Sequence, residues 1–170
     1  KDSFGCSVAL NGDTLAIGTV PSLRPSSAGD GKDLDASAHE GGAVYIFTRT
    51  GRTWTQQAYL EASNRGKLDR FGMSVALSGD TLAVGAIGED STGIDGEQGD
   101  NSARDSGAVY IFTRTGSTWS QQAYLKVSNA DAGDAFGVRI SLDGDTLAVG
   151  ASREDSRSSG VNGDPQDNSA

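Results

Sequence analysis

Residues 69–86 read DRFGMSVALSGDTLAVGA, and nearly the same stretch occurs twice more, as DSFGCSVALNGDTLAIGT at 2–19 and as DAFGVRISLDGDTLAVGA at 134–151. Within it Met73, Val75 and Leu77 alternate with Ser74 and Ala76. Ser78-Gly79-Asp80 then turns the chain into 81–86, where Leu82 and Val84 share a face. A period of two broken by a glycine turn predicts a β-hairpin. A second block, GAVYIFTRTGRTWTQQAYLEASN at 42–64, returns at 107–129 and differs only at Arg52/Ser117, Thr55/Ser120, Glu61/Lys126 and Ala62/Val127. Its strand at 108–114 is apolar on both sides, through Val109 and Ile111 on one and Tyr110 and Phe112 on the other. Such a strand must be covered twice. Thr115-Gly116-Ser117 turns into 119–127, where Trp119, Ala123 and Leu125 are expected to share a face. No window combines helical spacing with a cap, so almost no helix is expected.

Between the blocks lie polar stretches whose ends also repeat: Asp35-Ala36-Ser37-Ala38, Asp100-Asn101-Ser102-Ala103 and Asp167-Asn168-Ser169-Ala170. The chain thus divides into units 2–68, 69–133 and an incomplete 134–170, with Phe4, Phe71 and Phe136 spaced by 67 and then 65 residues. A four-stranded unit that is apolar on both faces needs a neighbour above and below, and stacking such sheets around an axis makes a β-propeller. The fold class expected is all-β: about two and a half four-stranded antiparallel blades. Phe71, Val75, Leu82, Val84, Val109, Tyr110, Ile111 and Phe112 are expected in the core.

The 170 residues carry 14 Lys+Arg against 23 Asp+Glu, a net charge of −9, which leaves no basic patch to displace phosphate counterions. No apolar run is long enough to span a membrane. One Cys and one His exclude a disulfide framework and a Cys/His zinc cluster. Cys6 holds the place of Met73 and Val138 and reads as a small buried hydrophobe, and His39 reads as loop.

Phe-Gly at 4–5, 71–72 and 136–137, followed by Ile-Gly-Thr at 17–19 and Val-Gly-Ala at 84–86 and 149–151, resembles the FG-GAP repeat. That repeat builds the seven-bladed propeller of integrin alpha-subunit ectodomains and of many bacterial secreted and surface proteins. The resemblance implies a non-enzymatic interaction or adhesion module, extracellular, secreted or on a cell surface. Its partners would be a protein or carbohydrate ligand, together with the remaining blades of the same chain or neighbouring copies. Closure takes at least about four blades, so the chain is expected to be part of a longer polypeptide or to complete its sheets with copies of itself.

Integrin blades commonly carry a D-x-D-x-D-G calcium loop between these strands. Here the connections are only Asn11-Gly12-Asp13, Ser78-Gly79-Asp80 and Asp143-Gly144-Asp145, too short to wrap a cation that needs six to eight oxygens. The longer loops offer hard oxygen ligands for Ca²⁺: Glu89, Asp90, Asp95, Glu97, Asp100 and Asn101 in one unit, and Glu154, Asp155, Asn162, Asp164, Asp167 and Asn168 in the next. The alternative is that solvated turns favour these residue types. Asp2, Asp69 and Asp134, two residues before each Phe-Gly, are expected to accept turn amide hydrogens.

Thr50-Gly51-Arg52-Thr53-Trp54 and Thr115-Gly116-Ser117-Thr118-Trp119 resemble the tail of the sialidase Asp box, but Arg49 and Arg114 stand where its acid would be. Glycoside hydrolysis needs two carboxyl groups at a set separation, whereas these acids recur in every unit. Trp54, Trp119, Tyr59 and Tyr124 therefore read as core or packing between units, and no enzyme is expected. A non-catalytic portion of a secreted hydrolase, or a structural unit of a surface filament or stalk, stays open.

Overall fold

The computed structural model describes residues 3–21, 41–93 and 99–155. Strands β1 (Ser3–Asn11), β2 (Thr14–Val20), β3 (Ala43–Thr50) and β4 (Thr53–Leu60) form one sheet in sequence order. A second sheet repeats the order with β5 (Phe71–Ser78), β6 (Thr81–Ala86), β7 (Ala108–Thr115) and β8 (Thr118–Leu125). A third holds β9 (Phe136–Asp143) and β10 (Thr146–Ala151). All neighbouring strands run antiparallel, and no helix occurs among the described residues.

The expected hairpin register holds: Val75 stands opposite Val84 and Leu77 opposite Leu82. Two irregularities recur. At the start of β5 the pairing passes from Phe71–Ala86 to Ser74–Gly85, so Gly72 and Met73 bulge out, with Gly72 at φ 91°. In β8 the pairing passes from Phe112–Gln121 to Ile111–Ala123, leaving Gln122 unpaired. One extra residue shifts the rest of a strand to the opposite face. Trp119, opposite Arg114, therefore lies on the Tyr110/Phe112 side, while Ala123 and Leu125 lie on the Val109/Ile111 side. The shared face expected for Trp119, Ala123 and Leu125 is thus corrected by the bulge.

The sheets stack with β5 against β1 and β2, and β9 against β5 and β6, while the outer strands β4 and β8 barely touch. Such stacks fan outward from the β1, β5 and β9 side. The core unites Ala16, Val44, Ile46 and Leu60 of the first sheet with Phe71, Val75, Leu77, Tyr110, Phe112 and Trp119 of the second. One contact face is thus small and aliphatic, the other large and aromatic. At each junction a serine hydroxyl reaches across: Ser7 Oγ donates to the Gly72 carbonyl at 2.6 Å, and Ser74 Oγ to the Gly137 carbonyl at 2.5 Å. A Cβ on Gly85 would lie 2.2 Å from that same Gly137 oxygen. The signature glycines are where two backbones meet without room for a side chain.

Seven of the eight expected core residues are buried. Ile111 is the exception and is only half-buried, because it faces the two-stranded third sheet, whereas its counterpart Ile46 lies fully buried beneath the second sheet. Cys6 is exposed rather than buried. It sits in the bulge of β1, lifted out of the ladder, with its thiol 3.4 Å from the Gly72 carbonyl.

Trp119 packs between sheets as expected and donates its indole N–H to Gln57 Oε1 at 2.9 Å. Tyr124 is half-buried. Trp54 and Tyr59 are exposed, since among the described residues no sheet covers the aromatic face of the first.

Candidate functional site

The loops 61–70, 87–93, 99–107, 126–135 and 152–155 gather at the ends of the sheets, where one sheet hands over to the next. Their deepest group is the Glu89 carboxylate, just after β6. Its Oε1 accepts from Asn64 Nδ2 at 3.1 Å, and its Oε2 accepts from the Ser91 backbone N–H and hydroxyl, each at 3.1 Å, and from Lys126 Nζ at 3.0 Å. The Lys126 and Glu89 side chains are both buried. Lys126 also donates to Ser106 Oγ at 2.6 Å and to the Gly107 carbonyl at 2.7 Å, so all three ammonium protons are used. Burial holds the Lys126 pKa below its ordinary value, against the opposing pull of Glu89.

Around this pair Tyr110 donates to Asn64 Oδ1 at 2.6 Å, and the Tyr124 hydroxyl meets Ser91 Oγ. Burial, followed by the nearby Glu89 charge, raises the Tyr110 pKa. Burial likewise raises that of Tyr124. A charge removed from water is tolerated when it is paired and hydrogen-bonded, and this network meets that condition.

The other expected metal ligands are dispersed. Asp90 Oδ1 accepts the Asp105 N–H at 2.8 Å. Asp100 closes an Asx turn by accepting the Ser102 N–H at 3.0 Å and the Thr92 hydroxyl, bonds that lower its pKa. Asn101 and Asp155 are exposed. Glu154 Oε1 accepts from Asn129 Nδ2 at 3.0 Å, the counterpart of the Asn64–Glu89 bond one junction earlier. Asp95, Glu97, Asn162, Asp164, Asp167 and Asn168 lie outside the described residues. Among the described residues no three of His, Cys, Asp or Glu converge as a metal shell.

The acids before each Phe-Gly accept turn amides: Asp69 Oδ2 from Gly66 N–H at 2.5 Å and Asp134 Oδ2 from Asp131 N–H at 2.8 Å. Asp2 lies outside the described residues. Burial pushes Asp69 up to about 6, with the Glu89 and Asp90 charges adding to the rise. Arg49 and Arg114, at the Asp-box position, hold the hairpin acids instead, Arg49 to Asp13 at 2.7 Å and Arg114 to Asp80 at 2.6 Å, with each guanidinium over its own Trp54 or Trp119 ring.

Sequence reasoning missed Lys126 and Asn64. The available signal was the Glu61/Lys126 exchange inside an otherwise nearly invariant block, matched by the acid Glu89 where the first unit has Ser22.

A search of curated proteins found no match. The family described as FG-GAP repeat matches three times, over residues 1–47, 54–112 and 119–164. With three matches along the chain and sheets of four antiparallel strands that recur with the same register, the chain belongs to the FG-GAP repeat family and its sheets are blades of the β-propeller which that repeat builds.

Proposed function

We propose that the chain is a non-catalytic interaction module that works outside the cytoplasm, at a cell surface or in secreted form, and binds a protein or carbohydrate ligand through its blade-end loops. The observation that carries this reading is repetition. The deep acids recur from blade to blade in the same structural bonds, Asn64–Glu89 with Asn129–Glu154 and Asp69 with Asp134. Carboxylates committed in this way set the geometry of a scaffold, while loops that differ between units supply recognition. Among the described residues no helix is long and apolar enough to cross a membrane. The test is saturable binding of the full chain on an array of matrix proteins and glycans. Hydrolysis of a chromogenic glycoside panel, with no array binding, would replace this reading with the hydrolase one.

Calcium belongs to the same proposal. Because Lys126 already neutralises Glu89, a cation would draw on the remaining acids Asp90, Asp95, Glu97 and Asp100. Mass action then predicts a Tm that rises from chelator to millimolar calcium. An unchanged Tm would assign these acids to solvated turns alone.

The exposed Phe4, Val8, Leu10, Trp54 and Tyr59 favour a second, structural reading, in which a further blade of the same chain or a neighbouring copy covers this face. Light scattering on the purified chain distinguishes association between copies from a monomer.

A further inference from the structure

The repeats separate scaffold from specificity, since a residue present in every blade holds the blade, whereas one that occurs once and makes no internal bond is available for something else. Two arginines meet the second description. Arg70 stands where the other units have Ser3 and Ala135, and Arg153 stands where they have Pro21 and Gly88. Neither guanidinium makes an ion pair or a side-chain hydrogen bond among the described residues, in contrast to Arg49 and Arg114. Both line one cleft of about 200 Å³ at the junction of the second and third blades. In a chain of net charge −9, two uncommitted cations on one concavity form a local reversal of sign.

We propose that this cleft is a binding subsite for a small carboxylate-bearing ligand, an acidic monosaccharide unit, and this deepens the interaction-module reading, on which it rests. A guanidinium presents paired N–H groups that match a carboxylate bidentately. The volume lies below that of pockets for drug-sized ligands and suits one sugar ring. Ile87 and Val138 supply an apolar wall for the ring's C–H face, while the Asp105 carboxylate and the Ser152 hydroxyl accept from ring hydroxyls. The Asp105 carboxylate is paired with the exposed Arg104 at 3.5 Å, so Arg70 and Arg153 are the cations left for the ligand's carboxylate. The junction of the first and second blades has Ser3 and Gly88 at the two arginine positions, so the subsite occurs once in the described blades.

The test is isothermal titration of the full chain with D-glucuronate, with D-glucose and N-acetyl-aspartate amide as comparison probes. Arg70→Ala and Arg153→Gly each install the residue of a sister unit, and Ala135 already adopts the positive φ of Arg70, 56° against 57°, so both variants keep the fold. Saturable glucuronate binding, weakened about tenfold or more by each substitution with Tm unchanged and with no glucose binding, is the expected result. Absence of saturation, wild-type affinity in both variants, or binding of the aspartate probe in place of glucuronate overturns the subsite. A chain that ignores glucuronate yet still binds a partner on the array loses the subsite alone and keeps its role as a module.

Discussion

The first and second blades carry almost the same side chains in the same register, yet they differ in what water reaches. Phe4 packs edge-on against Tyr45 with ring centroids 5.4 Å apart, and Phe71 packs against Tyr110 at 5.3 Å. The next pairs, Tyr45–Tyr59 and Tyr110–Tyr124, lie at 5.0 and 5.2 Å. The aromatic arrangement is therefore a property of the blade. Burial is a property of the junction: Phe4 is 58% exposed and Phe71 fully buried, because the first blade covers Phe71 and no described blade covers Phe4. Each blade folds its own ladder and borrows half of its core from the neighbour.

The largest effect expected from this difference is a contrast between Phe71→Ala, which should cost about 3–5 kcal/mol, and Phe4→Ala, which should cost under about 1 kcal/mol in urea unfolding. Equal costs would mean that the first blade's aromatic face is covered in solution.

Lys126→Met comes next. It leaves Glu89 charged, buried and without its cation, for a loss of about 3 kcal/mol. Arg65→Ala, which breaks the exposed Glu61–Arg65 pair in the first blade at 2.7 Å, should change stability by no more than about 0.5 kcal/mol.

The signature glycines sharpen the comparison at the next junction. Gly85→Ala forces a Cβ to within 2.2 Å of the Gly137 carbonyl and should cost about 2 kcal/mol. At the same repeat position Gly150 meets nothing nearer than 3.7 Å, so Gly150→Ala should be neutral or stabilising by a few tenths of a kcal/mol in thermal melts.

The last effect is electrostatic. Burial raises the folded-state pKa of Asp69 to about 6, against about 3.9 unfolded, so the folded chain binds the proton more tightly between those values. Stability should therefore fall as pH rises from about 4 to about 6 and level off above. Asp69→Asn, whose amide oxygen can still accept the Gly66 N–H, should flatten that part of the difference curve. An identical slope in wild type and variant would remove Asp69 as its source.

Strand positions are legible in the sequence because alternation and turn glycines are local properties, and three copies in phase amplify them. The double-sided character of β7 is legible for the same reason. The face of Trp119 is not, because a bulge is one unpaired residue, Gln122, and Gln-Gln in a sequence does not say which glutamine leaves the ladder. The exposure of Ile111 and Cys6 is hidden too, because burial depends on the neighbouring blade and on a bulge rather than on residue type. At the candidate site the turn-capping role of Asp69 and Asp134 follows from their fixed distance to Phe-Gly. The Glu89–Lys126 pair does not, since its partners lie 37 residues apart and meet only once β6, β7 and β8 are aligned. Arg70 and Arg153 are visible only as departures from the repeat until the fold puts them on one cleft.

The two faces of a blade are unlike, aliphatic on one side and aromatic on the other, and at both described junctions the serine hook is donated forward to the following unit. Contacts of this kind are directional: any number of units can be added in the same sense without altering a bond already made. Nothing within a single joint counts the units or tells them to stop. What limits the array is the turn accumulated from one joint to the next, which either returns the last blade to the first or carries it past as an open spiral. A small change in the angle set at the Gly85–Gly137 contact would thus be multiplied by the number of joints and would decide between a closed ring and a fibre.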